Sequence, residues 1–266
     1  MPRGPSLGRK RVHVHTVKEQ TVRADYPPLP GGFGRAECAL LEPVVKTDWH
    51  VYLLDAENAG DIMNAPDHGL HRAQLTDRLF ELWHNDWIEC LIDDQVVAPS
   101  LSILKEQFAR EGDWPPDSRP LFYRLGAIGG AVWESLTVLD WAKFVSRTLN
   151  YPPGGQRWQT LASPDLDVLK LVFTADRLGC GLMPGVIRGT ERWSETHPWR
   201  ATYWKTLPVV AYQVEVEWDH QHRPGPFSEE EWVLYETIRR ELPERTRWRK
   251  SFEEVCAEHF LDSGRG

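Results

Sequence analysis

The spacing of hydrophobic residues predicts a helix followed by a strand in the first half of the chain. Leu75, Leu79 and Leu82 recur at intervals of four and three residues, so they lie on one face of a helix. The polar residue Asn85 interrupts this pattern. Residues 87–92 then alternate between apolar and polar positions closely enough to predict a strand.

Neighbouring segments predict further elements of both kinds. Residues 48–57 carry apolar side chains at helical spacing, and residues 100–108 predict a short helix with Ser100 as its cap. Residues 121–125 predict a strand, and residues 129–136 predict a helix that begins at a Gly-Gly pair. Helices and strands are therefore mixed along this part of the chain.

The clearest strand pattern lies at residues 212–218. Tyr and Val positions alternate there with Gln and Glu, which predicts a strand with one buried and one solvated face. Residues 166–173 are apolar, and the preceding Ser163 and Pro164 are typical of a helix start. We therefore predict a helix before this strand.

Two helices are predicted at the end of the chain. Ser228 and Glu231 have the spacing of a capping box, which marks a helix start. Pro243 is expected to end this helix, and a second helix is expected over residues 246–260. The residues expected to face inward on the first helix are Trp232, Tyr235, Ile238 and Leu242.

Two changes in composition divide the chain into three parts. Residues 1–35 are rich in proline and basic residues, and we expect a flexible, extended arm. Residues 150–155 contain consecutive prolines and glycines, which predict a domain boundary. The predicted fold is α+β, with an acidic domain over residues 36–150 and a smaller, Trp-rich α/β-type unit over residues 151–266.

Composition places the chain among ordinary globular proteins. Its 266 residues are 41 % hydrophobic and 26 % charged, which argues against overall disorder and fibrous structure. A mean hydropathy of −0.48 and the absence of an 18-residue apolar run predict no membrane-spanning helix. No apolar stretch follows the basic residues near Met1, so we expect no secretory signal. The four scattered cysteines are typical of a reduced, cytoplasmic protein.

The net charge of −8 is unevenly distributed. Residues 1–35 contain seven Lys and Arg residues and two acidic residues. Residues 36–150 contain nine Lys and Arg residues and nineteen acidic residues. A strongly acidic domain repels polyanions unless its cations are segregated on one face. The charge therefore favours a protein partner, and a basic one in particular, over nucleic acid.

The order of elements in the acidic domain resembles a winged helix-turn-helix domain. The similar parts are LTDRLFELWHNDWIECLI at 75–92, FYRL at 122–125 and GGAVWESL at 129–136. The resemblance covers about residues 48–140. The chain departs from the usual pattern in having Gly126 where Thr is common, and in an insertion of about 25 residues in the wing.

This resemblance makes residues 70–83 the counterpart of a recognition helix. Arg72 and Arg78 are its candidate nucleic-acid-binding residues, because DNA binding needs cations facing phosphates and base edges. Asp77, Glu81 and Asp86 oppose them. Winged helices also serve as protein-docking modules, and the acidic surroundings favour that use here.

The segment 192–205 is unusually rich in tryptophan and predicts a binding surface. Aromatic side chains interleaved with cations suit a stacking surface for single strands or a protein hot spot, but a role of these tryptophans in the core is the favoured interpretation. The candidate binding residues in this segment are Trp193, Trp199, Arg200, Trp204 and Lys205.

Motifs of catalysis and cofactor binding are absent from the sequence. It contains no P-loop, no G-x-G-x-x-G and no G-x-S-x-G. His220 and His222 are separated by one residue and are candidate zinc ligands, but the sequence identifies no third ligand. We therefore predict no cofactor and no catalytic residue.

Together these patterns predict a non-enzymatic interaction or regulatory protein. We expect it to dock another protein through its winged-helix-like and Trp-rich surfaces. An immunity- or antitoxin-like role towards a basic toxin or nuclease fits this charge. The first alternative is a nucleic-acid-binding transcriptional regulator. The second is an enzyme with an unrecognised site near His220 and His222 or near Asp165 and Asp167.

Overall fold

A computed structural model describes residues 33–55, 68–108, 119–152, 155–183, 185–222 and 225–260. Nearly all of the expected N-terminal arm lies outside these residues. The fold is mixed α+β, as predicted, and its sheets are antiparallel. Within the described residues, no helix is long and apolar enough to cross a membrane.

The first unit is a four-stranded sheet covered by helices. Its strands are β1 (Trp49–His50), β2 (Ile88–Ile92), β3 (Gln95–Val97) and β4 (Phe122–Leu125), and their order in the sheet is β1-β4-β2-β3. Its helices are α1 (Arg35–Leu41), α2 (Arg72–His84), α3 (Leu101–Phe108) and α4 (Ala127–Thr137). The elements predicted between residues 70 and 136 are all present, including the short helix Leu101–Phe108.

Residues 48–57 were expected to form a helix, and this prediction is wrong. Trp49 and His50 form β1, which pairs with β4, and the 3-10 helix Val51–Leu54 follows. The backbone N–H of Val51 donates to the carbonyl of Leu121. Pairing with a strand more than seventy residues away thus overrides the local helical spacing.

The second unit has its own four-stranded sheet and a small hairpin. The sheet order is β5-β6-β10-β7, formed by Ser146–Asn150, Trp158–Ser163, Ala211–Glu217 and Arg192–Thr196. Strands β8 (Trp199–Arg200) and β9 (Thr206–Leu207) pair with each other. Helices α5 (Leu166–Leu178), α6 (Glu229–Arg245) and α7 (Phe252–His259) complete the unit.

The alternating segment 212–218 is confirmed as the central strand β10, with Val214 and Val216 fully buried. The helix expected after Ser163 begins instead after Asp165. The side chain of Asp165 accepts hydrogen bonds from the N–H groups of Asp167 and Val168, which makes Asp165 the cap.

The boundary expected at residues 150–155 falls inside a sheet. Strands β5 and β6 are neighbours, with Asn150 opposite Trp158, so the Pro-Gly stretch belongs to their hairpin connection. Residues that stop a strand also suit a turn between two strands, and the sequence alone does not distinguish these cases. The second unit therefore begins before Ser146.

One hydrophobic cluster spans both units. Buried side chains from the first unit, such as Leu40 and Trp133, belong to the same cluster as Trp199, Trp248 and Val255 from the second. Helix α7 also packs against α1. The two units are therefore held together by apolar contacts.

Helix α6 differs from its prediction in two ways. Pro243 lies inside the helix, which continues to Arg245. Trp232 was expected to face inward but is 53 % exposed, and Ile238 is the one buried residue of this helix. The last helix also begins later than expected, at Phe252, after its cap Ser251.

Candidate functional site

The two arginines expected to read nucleic acid are already paired with carboxylates. Arg72 Nε lies 2.5 Å from Asp55 Oδ2. Arg78 Nε lies 2.8 Å from Glu37 Oε1, and its Nη1 lies 2.7 Å from Glu81 Oε2. These carboxylates neutralise the charges that phosphate binding would need.

The Trp-rich segment mainly joins the two units. Trp199 is 1 % exposed and lies in the shared core, so it belongs to no surface. Trp204 packs over Gly130 of α4, and its Nε1 donates to the carbonyl of Val45 at 2.8 Å. Trp193 is 47 % exposed and packs edge-on against Phe173. The candidate Trp surface therefore does not form: Trp199 has the core role, Trp204 joins the two units, and Trp193 is exposed on its own.

The two cations of this segment have different surroundings. Lys205 Nζ lies 2.7 Å from Glu134 Oε2, which fastens the segment to α4. Arg200 is exposed, and its Nη2 donates to the carbonyl of Tyr203 at 3.3 Å. Among the described residues, no carboxylate lies within ion-pair distance of Arg200.

Two of the residues considered for metal binding or catalysis, His220 and Asp165, have local polar partners. His220 Nδ1 lies 2.6 Å from Arg157 Nη1. Asp165 caps α5, as described above. In the part of the chain that the structure describes, no three His, Cys, Asp or Glu side chains gather as they would around a metal ion.

An exposed aromatic cluster at the start of α6 was missed by the sequence analysis. The rings of Trp232 and Tyr235 are stacked, with centroids 5.3 Å apart and planes within 6° of parallel. Phe227 lies 5.6 Å from Tyr235 and 6.2 Å from Trp232. These contacts hold the exposed indole in one orientation.

Helix geometry explains why apolar side chains remain in solvent here. Helix α6 packs on α5 through Ile238, which joins Ala175 and Leu178 in a small core cluster. Because consecutive residues lie about 100° apart around a helix, a run of three cannot all face that cluster. Trp232, Val233 and Leu234 are 53 %, 62 % and 40 % exposed.

Carboxylates surround the exposed pair Trp232 and Val233. Glu229 precedes the pair and Glu236 follows it at intervals of three and four residues, so all four side chains lie together on the helix surface. We name this surface, formed by Glu229, Trp232, Val233 and Glu236, the α6 face. No Lys or Arg occurs from Gly225 to Ile238.

Glu231 has a structural role that separates it from the α6 face. Its carboxylate accepts a hydrogen bond from the backbone N–H of Ser228 and lies 2.9 Å from Arg188 Nη1. The Ser228 hydrogen bond first, and Arg188 second, lower the pKa of Glu231. Glu229 and Glu236 form no ion pair with any described residue, so their charges remain available to a partner.

A signal for the α6 face is present in the sequence. Three acidic residues precede the run Trp232-Val233-Leu234, and on a helix that packs through one face such a run leaves at least one apolar side chain in solvent. Which of these side chains is exposed depends on how α6 packs against α5, and the local sequence pattern does not specify that packing.

Comparisons with known proteins give no match. No family model, no curated protein and no solved structure matches this chain.

Proposed function

We propose that this chain is a non-enzymatic interaction or regulatory protein that docks a basic partner protein through the α6 face. The observation that carries this proposal is Trp232, an indole 53 % exposed and stacked on Tyr235 between unpaired carboxylates. The winged-helix-like unit is a second contact surface in this proposal.

The chemistry of the α6 face supports a partner that is both basic and partly apolar. Exposed Trp residues are enriched among interface hot spots, since they bury a large area at a low cost in conformational entropy. Acidic residues around such an anchor attract a basic partner and repel acidic ones. A basic amphipathic segment, with an apolar side flanked by Lys or Arg, complements both features.

The pairing of Arg72 and Arg78 weighs against the alternative of a nucleic-acid-binding regulator. Both guanidinium groups would have to leave Asp55 and Glu37 before they contacted phosphates. The structure therefore supports a protein-docking role better than a nucleic-acid-binding role.

A defined peptide tests the proposal. The probe is a synthetic 18-residue amphipathic helix with leucines on one side and lysines on the other, and fluorescence anisotropy reports its binding to the full chain. We expect Trp232→Ser to weaken binding by about tenfold or more, as loss of a hot-spot Trp does. We expect Glu229→Lys combined with Glu236→Lys to weaken it further and to reduce its salt dependence.

Matched variants and a matched peptide serve as controls. Trp193→Ser removes another exposed indole, and Glu195→Lys reverses a charge on β7; neither should change binding. The control peptide carries Glu in place of Lys and should not bind. Equal binding of both peptides, or equal losses for Trp193→Ser and Trp232→Ser, would contradict the proposal.

A further inference from the structure

A cavity of about 760 Å³ lies between the two units, away from the α6 face. Its walls come from β5, from the β8–β9 hairpin, from the C-terminal end of α6 and from Lys46 of the first unit. Leu242 of α6 and Thr246, directly after that helix, lie on its border, whereas Trp232 lies near the opposite end of this 17-residue helix.

The charge of this cavity is opposite to that of the protein. Lys46, Lys143, Arg147 and Arg200 line it, and no Asp, Glu, His or Cys is found among its described lining residues. Three of these four cations belong to residues 36–150, the most acidic part of a chain with a net charge of −8. Cations that are scarce in the sequence are thus gathered at one place.

Most of these cations lack a compensating carboxylate. Arg147 pairs with the buried Asp176. Among the described residues, Lys46, Lys143 and Arg200 form no ion pair. The ammonium of Lys46 instead lies 5.5 Å from the ring centroid of Trp248 and 5.6 Å from that of Phe144.

The positive charges oppose one another in the absence of an anion. Loss of hydration lowers the pKa of Lys46, and the positive charges of Arg249 and Arg147 lower it further, whereas Glu42, the partner of Arg249, opposes them with a smaller effect. A bound anion would relieve this repulsion and would favour the charged form of Lys46. Several cations on the wall of one cavity whose described lining residues include no carboxylate are typical of anion-binding sites.

The remaining walls indicate that the ligand has an organic part. Phe144, Leu182, Leu242 and Trp248 contribute apolar surface. A free inorganic ion would leave most of a cavity this large empty, whereas sites of about 300–1,000 Å³ suit organic molecules of drug-like size. A phosphate monoester carries a charge of about −1.5 to −2 near neutral pH, so it matches several cations better than a single carboxylate does.

We propose that this cavity binds a small phosphorylated organic molecule, whose phosphate contacts Lys46, Lys143 and Arg200 and whose apolar body lies against Phe144 and Trp248. Arg147 also lines the cavity, but its guanidinium is held by Asp176, so we do not assign it a phosphate contact. This site is independent of docking at the α6 face.

The experiment uses the full chain and three probes in isothermal titration calorimetry. These are 1-naphthyl phosphate, its uncharged counterpart 1-naphthol, and inorganic phosphate. We expect 1-naphthyl phosphate to bind at least about tenfold more tightly than either of the others, because it alone uses both the cations and the apolar walls. Equal binding of 1-naphthol would overturn the role of the cations. Equal binding of inorganic phosphate would overturn the organic ligand class, and no binding of 1-naphthyl phosphate would overturn the site.

Variants place the binding in this cavity. Lys46→Met keeps an unbranched apolar side chain over the two rings, and Arg200→Gln removes the charge of an exposed residue. Each substitution should weaken the binding of 1-naphthyl phosphate by about tenfold. Leu182 is 81 % exposed at the cavity, so Leu182→Glu adds an opposing charge without disturbing the core and should also weaken binding.

The matched controls are Lys105→Met on α3 and Val96→Glu on β3, both exposed and outside the cavity. They should bind as the unmodified chain does. Losses of equal size in the controls, or unchanged binding in all three cavity variants, would overturn the proposal.

Discussion

Arg147 of β5 forms a two-pronged ion pair with Asp176 of α5, whose side chain is fully buried. Nη1 lies 2.5 Å from Oδ2, and Nη2 lies 3.3 Å from Oδ1. The same carboxylate also accepts hydrogen bonds from Gln159 Nε2 and from the backbone N–H of Met183. One buried charge therefore joins two strands, a helix and the loop that follows it.

We expect Asp176→Asn to reduce the free energy of unfolding by about 3–5 kcal/mol, because it leaves the largely buried Arg147 without its counter-charge. Denaturant unfolding followed by circular dichroism measures this change. Glu89→Gln, which breaks an exposed pair with Arg124, should cost less than about 1 kcal/mol. Similar losses in the two variants would show that burial does not decide the importance of the Asp176 pair.

The hydroxyl of Tyr203 connects the Trp-rich segment to the first unit. It accepts a hydrogen bond from the Leu125 N–H and donates one to the Val44 carbonyl, both at 2.5 Å. Tyr203→Phe leaves both backbone groups without this partner, and we expect it to destabilise the fold by about 1–3 kcal/mol. Tyr212→Phe, whose hydroxyl has no hydrogen bond to a described residue, should change thermal stability little. An unchanged melting temperature for Tyr203→Phe would show that these two hydrogen bonds do not stabilise the contact between the units.

Gly129 begins the small-residue pair on which part of the winged-helix resemblance rests. A Cβ at this position would lie 2.0 Å from the carbonyl oxygen of Trp87, which is backbone and cannot move aside as a flexible side chain would. We expect Gly129→Ala to destabilise the protein by about 1–3 kcal/mol, even though alanine favours helices. Differential scanning calorimetry provides the measurement. Ser135→Ala, on the same helix, is the control, and a rise in melting temperature for Gly129→Ala would refute the close approach.

Glu254 makes the stability of α7 depend on pH. A hydrogen bond from Arg247 first, and the Ser251 N–H second, lower the pKa of Glu254 from 4.5 to about 2. A lowered carboxyl pKa stabilises the folded state above the unfolded-state value, and this contribution is lost as the pH falls from about 4.5 to about 2. Glu254→Gln should therefore be less stable than the unmodified chain at pH 7, and the difference should vanish near pH 2.

Urea unfolding at pH 7, 4 and 2 follows this difference in stability. Glu253→Gln, on the same helical turn, is the control, since Glu253 makes no hydrogen bond to a described residue. It should show a smaller and less pH-dependent change. A difference for Glu254→Gln that is the same at all three pH values would contradict the assignment.

Arg72 and Arg78 should contribute little to any affinity for nucleic acid. A salt titration of binding to double- and single-stranded oligonucleotides, from about 50 to 200 mM, tests this point because each phosphate contact adds to the salt slope. We expect Arg72→Gln and Arg78→Gln to leave affinity and slope within about twofold of the unmodified chain. Lys105→Gln is the matched control. If each substitution reduced the slope of log affinity against log salt concentration by about one, the recognition-helix interpretation would be restored.

Several elements could be predicted because their signals are local. The repeat of Leu75, Leu79 and Leu82 places three buried side chains on one side of α2. The Ser228–Glu231 capping box is present at the start of α6, and the alternation at 212–218 is that of β10. These patterns lie within a few residues, at the periods that helices and strands impose on the chain.

Both candidate sites depend on contacts between distant segments. Whether Trp232 faced the core depended on α5, and the burial of Trp199 depended on the first unit. The cations of the cavity come from residues separated by up to 154 positions, Lys46 and Arg200 being the outer pair. No periodicity relates such positions, so the sequence analysis assigned none of the cavity's lysines to a site.

The sequence by itself determined the α+β class, most helices, the strands β2, β4 and β10, the Ser228–Glu231 capping box and the uneven charge, because each depends on neighbouring residues or on composition. The tertiary structure decided that the Pro-Gly stretch at 150–155 connects two paired strands, that Trp204 reaches Val45, and that scarce cations converge on one cavity. The physical reason is that burial, ion pairing and hydrogen bonding are satisfied between elements as they pack. A side chain's role in this fold therefore depends on its neighbours in space more than on its neighbours in sequence.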